Sequence, residues 1–225
     1  MKITYFGHSA FLVESEGFRG MIDPFLTGNP HTNKTPEDLK EISHIFVTHG
    51  HGDHLGDTVE IAKKWDSLVI TNFEISTYLS EQGVRTHAMH IGGRRNFDFG
   101  RVKMTPALHG SGIPTEQGLI EGGLAGGFII ELEGKKIYHA GDTGLSMEMN
   151  LLKREDIHVA LLPIGGNFTM DIEDALLAVE MIQPRMVIPM HYKTFPIIPA
   201  DPEDFAKQVR GAEVRVVAPG ESFEV

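Results

Sequence analysis

Short runs of β-branched and aromatic residues recur along the chain, each closed by Gly, Pro or Asp. They predict strands at Lys2–Phe6, Ala10–Ser15, Arg19–Ile22, His44–Thr48, Leu68–Thr71, Val102–Ala107, Ala125–Leu132, Lys136–Ala140, Val159–Pro163, Met186–Met190, Val214–Ala218 and Glu221–Val225. Apolar residues at helical spacing predict helices over Leu55–Trp65, Phe73–Gln82, Asp171–Ile182 and Pro202–Arg210. Asn72 and Asp201 stand where N-caps belong, and Gly83 and Gly211 where helices stop. The first part of the chain is rich in hairpin-like strands, and the later part alternates strand and helix. Two sheets packed face to face, with helices outside, satisfy that order.

Composition narrows the class. The 225 residues suffice for a core without staples, and no Pro/Gly/Ser-rich linker divides them, so one domain over residues 1–225 is expected. The absence of cysteine excludes disulfides, zinc–thiolate sites, cysteine-ligated iron–sulfur clusters and thiol catalysis. No apolar run reaches membrane-spanning length, and the first residues read as a strand rather than a signal peptide. A soluble, cytoplasmic protein with no membrane partner is expected. The net charge of -11 repels nucleic-acid phosphates, and basic residues gather only in isolated pairs such as Lys63-Lys64 and Arg94-Arg95.

The chemistry concentrates behind one apolar strand. Ile45-Phe46-Val47-Thr48 runs into His49-Gly50-His51-Gly52-Asp53-His54, four potential ligands in six residues. In an extended loop alternate residues point the same way, so His49, His51 and Asp53 are expected to converge. The intervening glycines would let the backbone turn tightly and approach an ion. Imidazole and carboxylate suit zinc, manganese, iron or nickel in sites that keep an open position; zinc is the first expectation. The alternative is a solvated, His-rich turn. Further donors follow other apolar strands: His109 after Val102–Leu108, Asp142 after Lys136–Gly141, and His191 after Met186–Met190. Strand ends brought to one edge of a sandwich would gather all seven.

The pattern Thr48-His49-Gly50-His51-Gly52-Asp53-His54, then a single His, then Gly141-Asp142-Thr143, then His191, resembles the metallo-β-lactamase superfamily. The N-terminal Gly7-His8-Ser9-Ala10-Phe11 and Ile22-Asp23-Pro24 resemble one branch of it, small metal-dependent hydrolases related to lactonase-like members. The resemblance covers nearly the whole chain. It implies an α/β fold, the four-layer αββα sandwich, with a metal site at one edge of the sheets. It assigns His49, His51 and His109 to a first ion, Asp53, His54 and His191 to a second, and Asp142 to a bridge between them. A flavin-partnered di-iron branch is disfavoured, because it has a carboxylate where His51 stands.

Other residues carry weaker signals. His8 lies on a tight turn that the resemblance places at the mouth of the site. There it is expected to contact substrate or shuttle a proton; a turn histidine bonding locally is the alternative. Asp53 is expected to act in catalysis as well as in ligation. Asp23 is expected to accept hydrogen bonds from backbone amides or a ligand histidine. His139 reads as an orienting partner or as a satisfied core residue, while His31, His44, His87, His90 and His158 read as surface or capping residues. The Gly-rich stretch 110–123 reads as a lid, a substrate wall or a flexible surface loop. Gly165-Gly166 reads as a strand-to-helix turn.

Two ions roughly 3.5–4 Å apart would share a bridging water and bring its pKa near neutrality, giving hydroxide at about pH 7. Such a site polarises a carbonyl or phosphoryl oxygen. The expected activity is hydrolysis of an ester, lactone or phosphoester bond in a small molecule. The alternatives are a phosphodiesterase or nuclease acting on RNA or DNA, which the charge disfavours, and a non-catalytic metal-binding sensor, which the intact donor set disfavours. Self-association stays open.

Overall fold

The computed structural model describes residues 1–225. The first half of the chain forms β1 (Lys2–Gly7), β2 (Ala10–Ser15), β3 (Phe18–Ile22), β4 (His44–Phe46), the single turn α1 (Gly52–Leu55), α2 (Thr58–Trp65), β5 (Leu68–Asn72), α3 (Phe73–Glu81) and β6 (Thr86–Met89). The second half forms β7 (Arg94–Phe97), β8 (Gly100–Pro106), the small hairpin β9 (Ile113–Thr115) and β10 (Gly118–Ile120), β11 (Gly126–Leu132) and β12 (Lys135–His139). It continues through α4 (Met149–Leu152), β13 (Val159–Pro163), α5 (Ile172–Ile182), β14 (Met186–Met190), α6 (Pro202–Gln208), β15 (Glu213–Val214) and β16 (Ser222–Glu224).

Two seven-stranded sheets result, ordered β16-β1-β2-β3-β4-β5-β6 and β15-β14-β13-β12-β11-β8-β7. Each is antiparallel on one side and parallel on the other: β3 through β6 in the first, β12 through β15 in the second. Strand direction then decides where the chemistry falls. Strands β1, β3 and β4 run the same way, as do β8, β12 and β14. The residues just past each of these six strands therefore leave the sandwich at strand C-termini.

Side-chain alternation splits the apolar residues among three layers. Phe46, Ile70, Phe128, Ile130, Leu161 and Ile188 pack between the sheets. Their neighbours Ile45, Val47 and Val69 face Ile61, Ala62, Ile75 and Leu79 of α2 and α3 on the first sheet's outer face. Ile129, Ala160, Leu162 and Val187 face Ala175, Val179, Ile182 and Phe205 of α5 and α6 on the other. This is the αββα sandwich of the metallo-β-lactamase fold.

Several sequence expectations need correction. Strands also form at Thr86–Met89 and Arg94–Phe97, which the hydrophobic pattern does not mark: both lie at sheet edges, where the first buries only Met89 and the second exposes Arg94, Arg95 and Asn96. The expected strand over Val214–Ala218 pairs only at Glu213–Val214. The helix expected over Leu55–Trp65 is broken after Leu55, because Gly56 adopts φ 42° and ψ -130°. A Cβ there would lie 2.4 Å from the Pro24 carbonyl oxygen. The break is pinned from a distance: Asp57 N–H donates to Pro24 O, and Asp57 Oδ2 accepts from Leu26 and Thr27 N–H at 3.0 and 2.8 Å. Asn72 and Asp201 cap α3 and α6 as expected.

Gly56→Ala should destabilise the fold by more than about 1 kcal/mol, since both the dihedral and the space exclude a side chain. A urea midpoint unchanged from that of the unsubstituted chain would contradict this account.

Candidate metal centre

The backbone past β4 is built to crowd donors. Thr48 is anchored twice by the buried Asp23, which comes directly after β3: its N–H donates to Oδ1 at 2.8 Å and its hydroxyl to Oδ2 at 2.7 Å. The Thr48 hydroxyl proton is thereby committed, so its oxygen accepts from His49 Nδ1 at 3.0 Å. His49 Nε2 then carries a lone pair. Asp23 Oδ2 also accepts from His54 Nδ1 at 2.8 Å, which leaves His54 Nε2 with a lone pair too. One carboxylate thus sets the tautomer of two histidines, one directly and one through a threonine.

The donors sort into two groups. His49 Nε2 and His109 Nε2 lie 3.1 and 3.2 Å from His51 Nδ1, three nitrogens converging on one point. Asp53, His54 and His191 form the second group, joined by His8. The convergence of His49, His51 and Asp53 inferred from alternation does not occur. The turn α1 starts at Gly52 and groups Asp53 with His54 and His191 instead, while His54 stays beside His49, their rings 4.1 Å apart. Asp142 lies between the groups, with Oδ1 3.2 Å from His54 Nε2 and Oδ2 2.9 and 3.6 Å from the Nε2 atoms of His191 and His109.

These residues fit divalent ions. His54 Nε2 and Asp142 Oδ1 are both buried, face each other, and are not aligned as a hydrogen bond. A lone pair opposed to a carboxylate oxygen is a repulsive pair unless a cation or a proton lies between them. Burial opposes charging His54, but the Asp142 and Asp23 carboxylates outweigh it and hold its pKa well above 6.5. Burial opposes ionisation of Asp142 too, yet His54 and His191 hold it well below the usual carboxylate range. Burial lowers His49 well below its ordinary value, and lowers His51 and His109 in the same direction, so the first group stays neutral and ready to ligate.

His8 departs from its expected place. It is fully buried, not at a mouth; Nδ1 meets Thr194 Oγ1 at 2.9 Å and Nε2 meets Asp53 Oδ2 at 3.1 Å. His139 donates from Nε2 to Ser9 O at 2.9 Å and accepts Gly141 N–H on Nδ1 at 3.1 Å, so it braces the backbone before Asp142 rather than a ligand side chain. His44, at the start of β4, is half-buried, its ring packing between Phe18 and Phe99 at 5.3 and 4.4 Å. Gly50 serves close packing: a Cβ there would lie 2.6 Å from both Ile113 Cγ1 and Ser111 O.

The stretch 110–123 is a wall over the donor loop. Ser111 Oγ accepts from Gly50 N–H at 3.1 Å and donates to Gly122 O at 2.7 Å, which Asn72 Nδ2 also reaches. Sequence reading gave no role to Thr48, Ser111 or Thr194. Thr48 could have been found by its place directly before His49; the other two carry no local signal. The centre opens to solvent at Asp53, whose side chain is 28% exposed, and less at His109, at 12%.

The family model of the beta-lactamase superfamily domain matches residues 2–191. A UPF0173 metal-dependent hydrolase of Alkaliphilus metalliredigens is 58% identical over 218 residues, 96% of each chain. Another from a Geobacillus species is 52% identical over the full length of both. Among solved structures, Igni18, a metallo hydrolase of Ignicoccus hospitalis, is 42% identical with a TM-score of 0.91 over 100% of this chain and 98% of its own.

Asp23→Ala should weaken both ion sites, by about 10–100-fold each, because both tautomer assignments lose their support. Chelator competition measures this; a loss confined to one site would break the link through Thr48. Loading should also depend on pH. The raised pKa of His54 favours a proton that the ring must lose to ligate, so affinity rises with pH until that pKa is passed. Calorimetric heats that do not vary with the ionisation enthalpy of the buffer would rule this out.

Proposed function

The chain belongs to the beta-lactamase superfamily, within the UPF0173 metal-dependent hydrolase family, and from that premise we propose that it hydrolyses an ester, lactone or phosphoester bond of a small molecule with two divalent ions. The observation that carries this reading is the place of one carboxylate, Asp142, between two groups of donors, His49 and His54 reaching it from either side. His49, His51 and His109 would hold the first ion, and Asp53, His54 and His191 the second, with Asp142 on both. Zinc suits these donors best, and manganese, iron or nickel would also bind.

When bound, the ions would supply Lewis-acid polarisation of the scissile group and a lowered pKa for the attacking water. The chain's own residues do the rest. Asp23 and Thr48 keep lone pairs of His49 and His54 aimed inward. The buried faces of His49, His54, His191 and Asp142 exclude bulk water from the inner side, which strengthens electrostatic contacts there. Asp53, the donor carboxylate more open to solvent, would accept a proton from the attacking water. The stretch 110–123 would wall the substrate beside His51, since a Cβ on Gly110 would lie 3.6 Å from His51 Nε2. A small substrate also accords with the net charge of -11, which opposes a polyanion.

Turnover on a panel of esters, lactones and phosphodiesters, with zinc or manganese supplied, tests the activity. A fully loaded protein inert on every class would refute it. Two ions per chain are expected. Asp142→Ala should lower the occupancy of both, while His191→Ala chiefly lowers the second, because the carboxylate touches both groups and the imidazole one. Full occupancy at both sites in Asp142→Ala would remove the bridge.

A further inference from the structure

His8 is bound to the centre through its side chain and its carbonyl. The side chain joins Thr194 Oγ1 to Asp53 Oδ2, at 2.9 and 3.1 Å. The carbonyl accepts the His191 N–H at 2.8 Å and the Tyr5 hydroxyl at 3.1 Å. The residue sits at φ 57°, a left-handed conformation that a bulky residue adopts only when its surroundings hold it there. Its ring lies 4.0 Å from that of His191 and 5.4 Å from that of His54, with Phe25 and Phe195 closing the remaining sides. Asp53 comes from the first sheet's loops and His191 from the second's. His8 therefore contacts a donor from each half.

We propose that His8 is a positioning residue for the second ion, fixing the Asp53 carboxylate through an Nε2–H donor while its backbone carbonyl fixes His191. The hydrogen-bond chain is self-consistent. The Asp53 carboxylate only accepts, so the ring proton stands on Nε2 and Nε2–H donates to Asp53 Oδ2; the Thr194 hydroxyl, whose other acceptor, the Tyr192 carbonyl, lies farther off at 3.4 Å, then donates to His8 Nδ1 at 2.9 Å. Engaging Oδ2 leaves Oδ1 as the free oxygen of Asp53 and sets the plane of the carboxylate. A neutral donor does this in a buried site without adding charge. Partners of this kind typically change metal affinity by about 10–100-fold when removed.

This inference rests on the two-ion reading, so the test is a titration of the metal-stripped full chain with Co²⁺. It is read by chelator competition and by anomalous diffraction at each site. The informative pair is His8→Gln and His8→Asn. The Gln amide nitrogen stands near the former Nε2 and can still donate to Asp53; the shorter Asn side chain reaches only toward Thr194. Asn also tolerates left-handed backbone, so the fold is not the casualty. His8→Asn should lower affinity at the Asp53–His54–His191 site by about 10–100-fold and leave the His49–His51–His109 site unchanged. His8→Gln should recover most of that loss, and Thr194→Val should show a smaller loss at the same site. Unchanged binding of both ions by His8→Asn overturns the inference alone. So does an ion within coordinating distance of His8 Nε2, roughly 2.0–2.1 Å, because His8 would then be a ligand. A single ion in the unsubstituted protein overturns the two-ion reading, and this inference with it.

Discussion

The centre depends on one buried carboxylate. Asp23 is out of contact with solvent and accepts three hydrogen bonds, from Thr48 N–H, the Thr48 hydroxyl and His54 Nδ1. A buried carboxylate without such donors would be strongly destabilising, so the loop past β4 and the turn past β3 can only fold together. Their union orients a histidine on each side of the centre before any ion arrives. That preorganisation is what a hydrolytic site requires, because donors that need not rearrange lose less entropy on loading.

Some of the backbone strain lies where the donors converge. His8, Asp23 and His191 all occupy left-handed backbone conformations that side chains rarely adopt. Each stands directly after a strand and is turned at once toward the centre. Close backbone approaches accompany them. Gly165 lies where a Cβ would come within 2.2 Å of His191 O, and Gly141, at φ 64°, where one would meet Gly126 O at 2.6 Å. The sandwich core, packed on both faces of both sheets, holds these turns in place.

The electrostatics of the centre run against the protein as a whole. The chain is acidic, yet the donor set contributes only two carboxylates, Asp53 and Asp142, beside five imidazoles. Two divalent ions would leave the site about two charges positive, a local attraction for an anionic transition state inside a repulsive general field. The surrounding charge opposes the approach of polyanions.

Much of this was legible in the sequence, and the boundary has a physical reason. Strands β2, β13 and β14 match their expected limits because their apolar runs are buried on both faces of a layer. The seven candidate donors could be picked out because each lies just past such a run, and strands of the same direction deliver their trailing residues to one edge. Edge strands such as Arg94–Phe97 left no trace, since hydrophobicity records burial and they have little. The break at Gly56 was invisible because its cause, the Pro24 carbonyl, is remote from it in sequence. The same holds for the site. Local sequence determined which side chains could bind ions. Only the tertiary structure decided that Asp53 parts from His49 and His51, that Thr194 meets His8, and that His8 lies buried behind the donors rather than in front of them. Those facts depend on which loops meet at the sheet edge, and no local pattern encodes that meeting.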